Sequence, residues 1–177
     1  MNKAVLIALL GVASIVSAFE IPMENYLKAV PAHVLMQNMM RNPKLESTAT
    51  AVKWGKCSDE GVYDVAKGTN TPQPPQVGSN INLNLDVIFN DDANVSGLFI
   101  DVKLTAQGTS TPITLYSNDF KVDNAKVYHD GDELLQKETW LVPSFAPYGL
   151  YQISLKVHDP ANQDTFVCQT AEFTISN

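Results

Sequence analysis

Protein chemistry is done by nucleophiles, acids, bases and metal ligands, and this chain offers two cysteines, three histidines and 19 acidic residues. Nucleophilic catalysis needs a Ser or Cys close to a His that is itself oriented by an acid. Neither a Gly-x-Ser-x-Gly turn nor a Cys-His pairing is visible. His33 falls in a helix-forming stretch, His129 in a turn and His158 on the polar face of an alternating segment. None has metal-ligand spacing around Cys57 or Cys168. Asp130-Gly131-Asp132-Glu133 and Asp91-Asp92 look like calcium loops, but an EF-hand spreads its ligands over about twelve residues, so both read as solvated turns. Paired carboxylates are too plentiful to single one out. The expectation is a binding protein and not an enzyme, with no metal and no cofactor.

The charge balance narrows what it could bind. Twelve Lys and Arg stand against 19 Asp and Glu, a net charge of -7, and Arg41 is the only arginine. A surface of that sign repels phosphate backbones, so nucleic acid is excluded as a partner. With 45% hydrophobic, 18% charged and 8% aromatic residues over 177 positions, the chain has enough apolar material for one globular core, and matches neither a coiled coil nor a disordered polyelectrolyte.

The start of the chain sets an expected compartment. Lys3 is followed by the apolar run Ala4 to Val16 and by small residues at Val16-Ser17-Ala18, the pattern of a secretory signal peptide over residues 1-18. The run is too short for a bilayer core, which needs roughly 20 apolar residues. Removing Lys3 leaves 11 basic residues against 19 acidic ones, a net charge of -8. The expected product is an exported acidic protein, secreted or held in the lumen of endosomes or lysosomes. Two thiols there more often pair than stay free, with a pair of buried free thiols as the alternative.

Two patterns of apolar residues organise the rest. Residues 19-50 form a helical arm or pro-segment with a linker: Leu27, Val30, Val34, Leu35, Met39 and Met40 lie near helical spacing, Pro31 breaks the run and Pro43 ends it. Two short helices or a helix hairpin are predicted, either packed on the domain or acting as a lid or removable segment, with Leu45 to Thr50 as a polar linker. Over 51-177 the period becomes 2. Ile81, Leu83, Leu85, Val87 and Phe89 alternate with polar residues, as do Leu98, Ile100, Val102 and Leu104, and Tyr151, Ile153, Leu155 and Val157. Ile113 to Tyr116 and Phe166 to Ile175 complete the predicted strands. In the last of these Cys168 is out of phase with Ala171, Phe173 and Ile175, which predicts a bulge or a cysteine turned away from the core. Short strands joined by turns such as Thr71 to Val77 and Asp159 to Asn162, with no helix between them and no internal repeat, define an all-β antiparallel two-sheet sandwich.

An ordered set of features then becomes familiar: Trp54-x-x-Cys57, Pro72-Gln73-Pro74-Pro75 before the first long strand, Pro147-Tyr148-Gly149-Leu150-Tyr151 leading into the penultimate strand, and the closing Asp159 to Cys168 hairpin. Together, over about residues 52 to 177, they resemble the ML lipid-recognition family, which includes the Niemann-Pick type C sterol-transfer protein and phosphatidylglycerol/phosphatidylinositol transfer proteins. The resemblance implies an immunoglobulin-like β-sandwich whose splayed sheets hold a lipid in an apolar cavity. It also implies a bridge between the first and last cysteines, here Cys57 and Cys168. The further cysteine pairs usual in the family are missing, and Asp119 to Lys137, where one would sit, contains none, so a looser loop at the cavity mouth is expected.

Alternation alone is what any solid sandwich core would show. On the resemblance, Leu83, Leu85, Val87, Phe89, Ile100, Val102, Leu104, Ile153, Leu155 and Phe173 line the cavity, while Trp140, Val142, Phe145, Tyr148 and Tyr151 flank its mouth along the Leu141 to Leu150 crossover. Enclosure of a sterol or acyl chain gains about 25 cal/mol per Å² of apolar surface removed from water. The expected activity is lipid binding or lipid transfer by a monomer making transient contact with membranes or a membrane receptor. A solid-core recognition or adhesion module is the alternative. Asn94-Val95-Ser96 is the one N-glycosylation sequon, so Asn94 is a modification candidate.

Overall fold

The computed structural model describes residues 13-40, 47-57, 61-159, 161 and 164-176, with backbone only at 13-17, 64-65, 122-124 and 164. Residues 1-12 of the expected leader, Pro43 and Leu45 of the arm, and Pro160 and Asn162 of the last turn lie outside the described residues.

The longest clean alternation organises the first sheet. β5 (Asn80–Phe89) runs antiparallel to β4 (Tyr63–Thr71) on one side and to β8 (Glu133–Leu141) on the other. β1 (Ala13–Phe19) then joins the free edge of β8 in parallel, from Ala13 opposite Leu134 to Phe19 opposite Trp140. The second sheet is antiparallel and runs β2 (Thr48–Ala49), β10 (Asp164–Ser176), β9 (Gly149–Asp159), β6 (Ala93–Ala106), β7 (Ile113–Tyr128), with β3 (Lys53–Lys56) also paired to β10. The fold is all-β and two-sheeted, as the alternation predicts.

Several boundaries differ from the sequence reading. The strand expected over Ile113 to Tyr116 continues to Tyr128, and with β8 it replaces the loop expected over Asp119 to Lys137. Within Leu45 to Thr50, Thr48 and Ala49 pair with Ser176 and Ile175. β1 makes one pair parallel in a sandwich expected to be antiparallel throughout, and it is formed by residues that also end the leader-like pattern.

Helical spacing in the arm gives α1 (Met23–Ala29) and α2 (Ala32–Met40), separated at Val30-Pro31. Val30 is extended, with φ −139° and ψ 152°, because the following proline ring excludes the helical conformation. Its N–H still closes the last turn of α1 by donating to the Tyr26 carbonyl at 3.0 Å. The arm packs on the domain through Tyr26 and Leu35, both essentially inaccessible to solvent.

Candidate functional site

Between the sheets, the inward residues of β5, β6, β9 and β10 meet as predicted by their period. Leu83, Leu85, Val87, Phe89, Ile100, Val102, Leu104, Ile153, Leu155 and Phe173 are at most 1% exposed. Trp140 and Tyr151 join them: Tyr151 stacks on Phe173 with centroids 5.4 Å apart, and Trp140 lies 5.8 Å from Tyr151. The Tyr151 hydroxyl donates to the Pro147 carbonyl at 2.9 Å, and burial, with a smaller contribution from Tyr26, pushes its pKa well up. Gly149 opens β9 with φ 152°, and a Cβ there would collide with the Thr105 carbonyl, so the Tyr148-Gly149-Leu150 sequence lets β9 start hard against β6.

Of the residues expected at the mouth, Val142 is buried whereas Phe145 and Tyr148 are half-buried and reach open space. Phe145 walls a cavity of about 340 Å³ with Ile21, Met23 and Leu141. Tyr148 walls one of about 280 Å³ with Val30, Val34 and Asn38. A third hollow of about 370 Å³ lies beside Phe19, Asn80 and Thr139. All three lie where the arm meets the sandwich.

The two long edges of the sandwich are closed differently. At one, the Cys57–Cys168 bridge joins the strand end of β3 to β10, and the Trp54 ring lies on Gly68 of β4, where any Cβ would overlap it. Cys168 falls on the opposite face of β10 from Ala171, Phe173 and Ile175, while the register irregularity lies between Thr165 and Val167. At the other edge, Phe19 stacks on Tyr116 of β7 at 4.9 Å and on Trp140 at 6.0 Å.

Behind that second edge the interior is polar. β8 turns Leu134, Gln136, Glu138 and Trp140 inward, opposite Val87, Leu85, Leu83 and Ile81 of β5. Gln136 is fully buried, and neither of its side-chain polar atoms has a hydrogen-bond partner among the described residues. Glu138 is 1% exposed. Burial pushes the Tyr116 hydroxyl pKa up, a hydrogen bond with Asn118 opposes that shift, and the Glu138 carboxylate adds a smaller upward push. Tyr26 of α1 enters the adjoining end, edge-on to Phe145 with centroids 5.4 Å apart. Its hydroxyl is buried without a partner among the described residues, and burial pushes its pKa up.

Phe19, Tyr26, Gln136 and Glu138 were not read as site residues. The first two belong to segments read as a leader end and an arm. On β8, Gln136 and Glu138 interrupt the apolar series, so no period-2 signal marks the strand.

The histidines form no catalytic constellation among the described residues. His129 Nδ1 lies 2.7 Å from Asp92, whose carboxylate raises its pKa. His158, expected on a wet face, has a side chain only 13% exposed and sits 2.7 Å from Asp119 through Nε2. No group of three His, Cys, Asp or Glu side chains among the described residues converges as metal ligands would. Asn94 is exposed on β6, and its side-chain amide donates to Asp159 at 3.2 Å.

No family model matches the chain, and no curated protein matches it. Among solved structures it is similar to chicken MD-1 complexed with lipid IVa, at 13% identity over 75% of this chain and 99% of that one, with a TM-score of 0.44. A Niemann-Pick type C2 protein from the Japanese carpenter ant matches at 13% identity over 68% and 96%, with a TM-score of 0.40. The C-terminal domain of wzt matches at 12% over 71% and 77%, with a TM-score of 0.39. At such values nothing about ligand or activity passes from those proteins to this chain.

Proposed function

We propose that this chain is an exported lipid-binding or lipid-transfer protein, not an enzyme, in which the arm caps the end of the sandwich where a sterol or a phospholipid acyl chain enters. The observation that carries this reading is Tyr26, a fully buried phenol whose hydroxyl has no partner among the described residues, inserted edge-on against Phe145. Burying an unsatisfied hydroxyl costs about 1 to 3 kcal/mol. A cap that carries such a penalty is easily displaced by a ligand able to fill the same apolar space. The polar atoms of Gln136 support the same reading, since a solid core gains nothing from an unpaired amide.

On this reading the ligand reaches Phe145 and Tyr148 first, then Trp140, Val142 and Tyr151, and then the inward faces of β5, β6, β9 and β10. The protein acts as a monomer, secreted or in an endosomal or lysosomal lumen, and touches membranes or a membrane receptor only transiently. Met36, Met39 and Met40 of α2 are 56 to 81% exposed and form an adaptable apolar face suited to that contact.

A second reading, a solid recognition module, is favoured by the closeness of the central side chains: none of the described cavities is lined by Leu83, Leu85, Ile100, Val102, Ile153 or Leu155. One experiment separates the two. Purified natural protein is extracted with organic solvent for mass spectrometry, and fluorescent sterol and phospholipid probes are titrated at endosomal and neutral pH. Saturable, stoichiometric binding that is lost in Val142→Trp supports the carrier. No binding of either probe at either pH leaves the solid module.

A further inference from the structure

We propose that the cavity between α2 and the β6–β7 turn is a separate binding site for a small neutral molecule bearing one acceptor oxygen, an ester or a ketone of medium chain length. This inference does not depend on a lipid lying between the sheets.

The starting point is an inversion in α2. A surface helix normally turns its apolar residues to the core and its polar ones to water. Here Asn38 is 6% exposed, whereas Met36, Met39 and Met40 of the same two turns stand out in solvent. The inward face of the helix is the one that buries Leu35, and on that face the Asn38 amide is held inside while three thioethers stay in solvent. The Asn38 Nδ2 has no hydrogen-bond partner among the described residues. An unsatisfied buried donor is costly, and a residue that breaks the local pattern without internal compensation marks a functional position.

Asn38 lies on the wall of the cavity of about 280 Å³. Its other walls are mainly apolar: Val30, Pro31 and Val34 from the arm, Ala106 from the end of β6, and Pro147 with Tyr148 from the loop before β9. Two polar groups there are already engaged. Thr109 Oγ1 donates to the Ala106 carbonyl at 2.8 Å, and the Gln107 N–H donates to the Tyr148 carbonyl at 2.9 Å. The Asn38 amide is a buried side-chain donor on this wall without a partner among the described residues.

Charge decides the ligand class. No acidic or basic side chain among the described residues lines the cavity, so a carboxylate would be desolvated without a counter-charge from them, on a chain of net charge -7. A neutral carbonyl accepts from Asn38 at no such cost. The volume lies at the lower limit for ligand pockets and suits a molecule of roughly ten non-hydrogen atoms.

The test titrates methyl octanoate, and separately octanoate at neutral pH, into the full-length protein while side-chain amide resonances are followed by NMR. Saturable binding of the ester should move the Asn38 side-chain resonance, and octanoate should bind at least tenfold more weakly. In Asn38→Leu the melting temperature should hold or rise while ester affinity falls by up to about tenfold, the worth of one hydrogen bond. Val34→Trp, one turn before Asn38 on the same helix, fills the cavity and should abolish binding. Equal ester affinity in Asn38→Leu, equal affinity of ester and acid, or shifts in the unmodified protein that leave Asn38 untouched would each overturn the proposal.

Discussion

The two long edges of the sandwich solve one problem in opposite ways. Where β3 and β4 face each other, the Trp54 ring seated on Gly68 joins the sheets, and a covalent bridge within the second sheet ties β3, which carries that ring, to β10. Where β1 and β7 face each other, the sheets are joined by a stack of Phe19 on Tyr116, and the residues behind it are Gln136 and Glu138 instead of leucines. The contrast teaches where the molecule can open. An edge whose crossing Trp ring sits on a strand anchored to its own sheet resists separation, whereas an edge backed by buried polar groups has less to lose when water or a ligand enters.

The largest expected effect lies at the stapled edge. Replacing both Cys57 and Cys168 by Ser removes a link across 111 residues of sequence, worth roughly 4 to 5 kcal/mol in the loop-entropy model. Denaturant unfolding should show a loss of that order, and a loss under about 1 kcal/mol would mean that Trp54 packing alone holds the edge. At the other edge, Phe19→Ala deletes a side chain 5% exposed with two stacking partners. It should cost about 3 to 5 kcal/mol as a core Phe truncation and raise hydrogen exchange in β7 more than in β10. Uniform exchange in both strands would remove the distinction between the edges.

Smaller effects test the polar backing. Gln136→Leu replaces an amide whose polar atoms lack partners among the described residues, beside Leu85 in the register. Thermal unfolding should show stability equal to or up to about 2 kcal/mol greater than that of the parent, since an unsatisfied group is removed. Tyr26→Phe acts on the cap by the same logic, with a gain of about 1 kcal/mol and slower uptake of a lipid probe. A loss of stability in either variant would mean that the group is satisfied in solution and that the edge is sealed.

The smallest effect is electrostatic. The hydrogen bond and charge of Asp92 raise the His129 pKa. The stabilisation this contact provides is complete below the ordinary imidazole range and fades as pH rises through the raised folded value. Imidazole resonances should show His129 titrating above its ordinary value, and Asp92→Asn should bring it back. The pair joins two outer turns, so neither edge should respond.

How far the strands were legible depended on what their inward faces carry. β5 and β9 could be read because every second residue is apolar from Ile81 to Phe89 and from Tyr151 to Val157. β8 could not, because Gln136 and Glu138 occupy two of its four inward positions, and a polar residue in phase looks the same as one out of phase. The far half of β7 was hidden by Asp119, Asp123, Asn124 and Lys126, which suit an edge strand but read as loop. The break between α1 and α2 was legible at Pro31, whose ring excludes helix at Val30 whatever surrounds it.

What the sequence determined by itself, then, are the features that local sterics and period control: the all-β class, the helix break and the inward faces of the apolar strands. The net charge of -7 was equally plain, since it needs no geometry. The pairing of Cys57 with Cys168 followed from compartment and resemblance, and the closeness of the end of β3 to β10 realises it. Only the tertiary structure decided which polar residues lie inside. Whether Tyr26, Asn38, Gln136 and Glu138 meet water or other side chains depends on partners from distant strands and from the arm, and no local pattern encodes those contacts. That is why the residues on which both functional proposals turn became visible only once the arm and the two sheets were brought together.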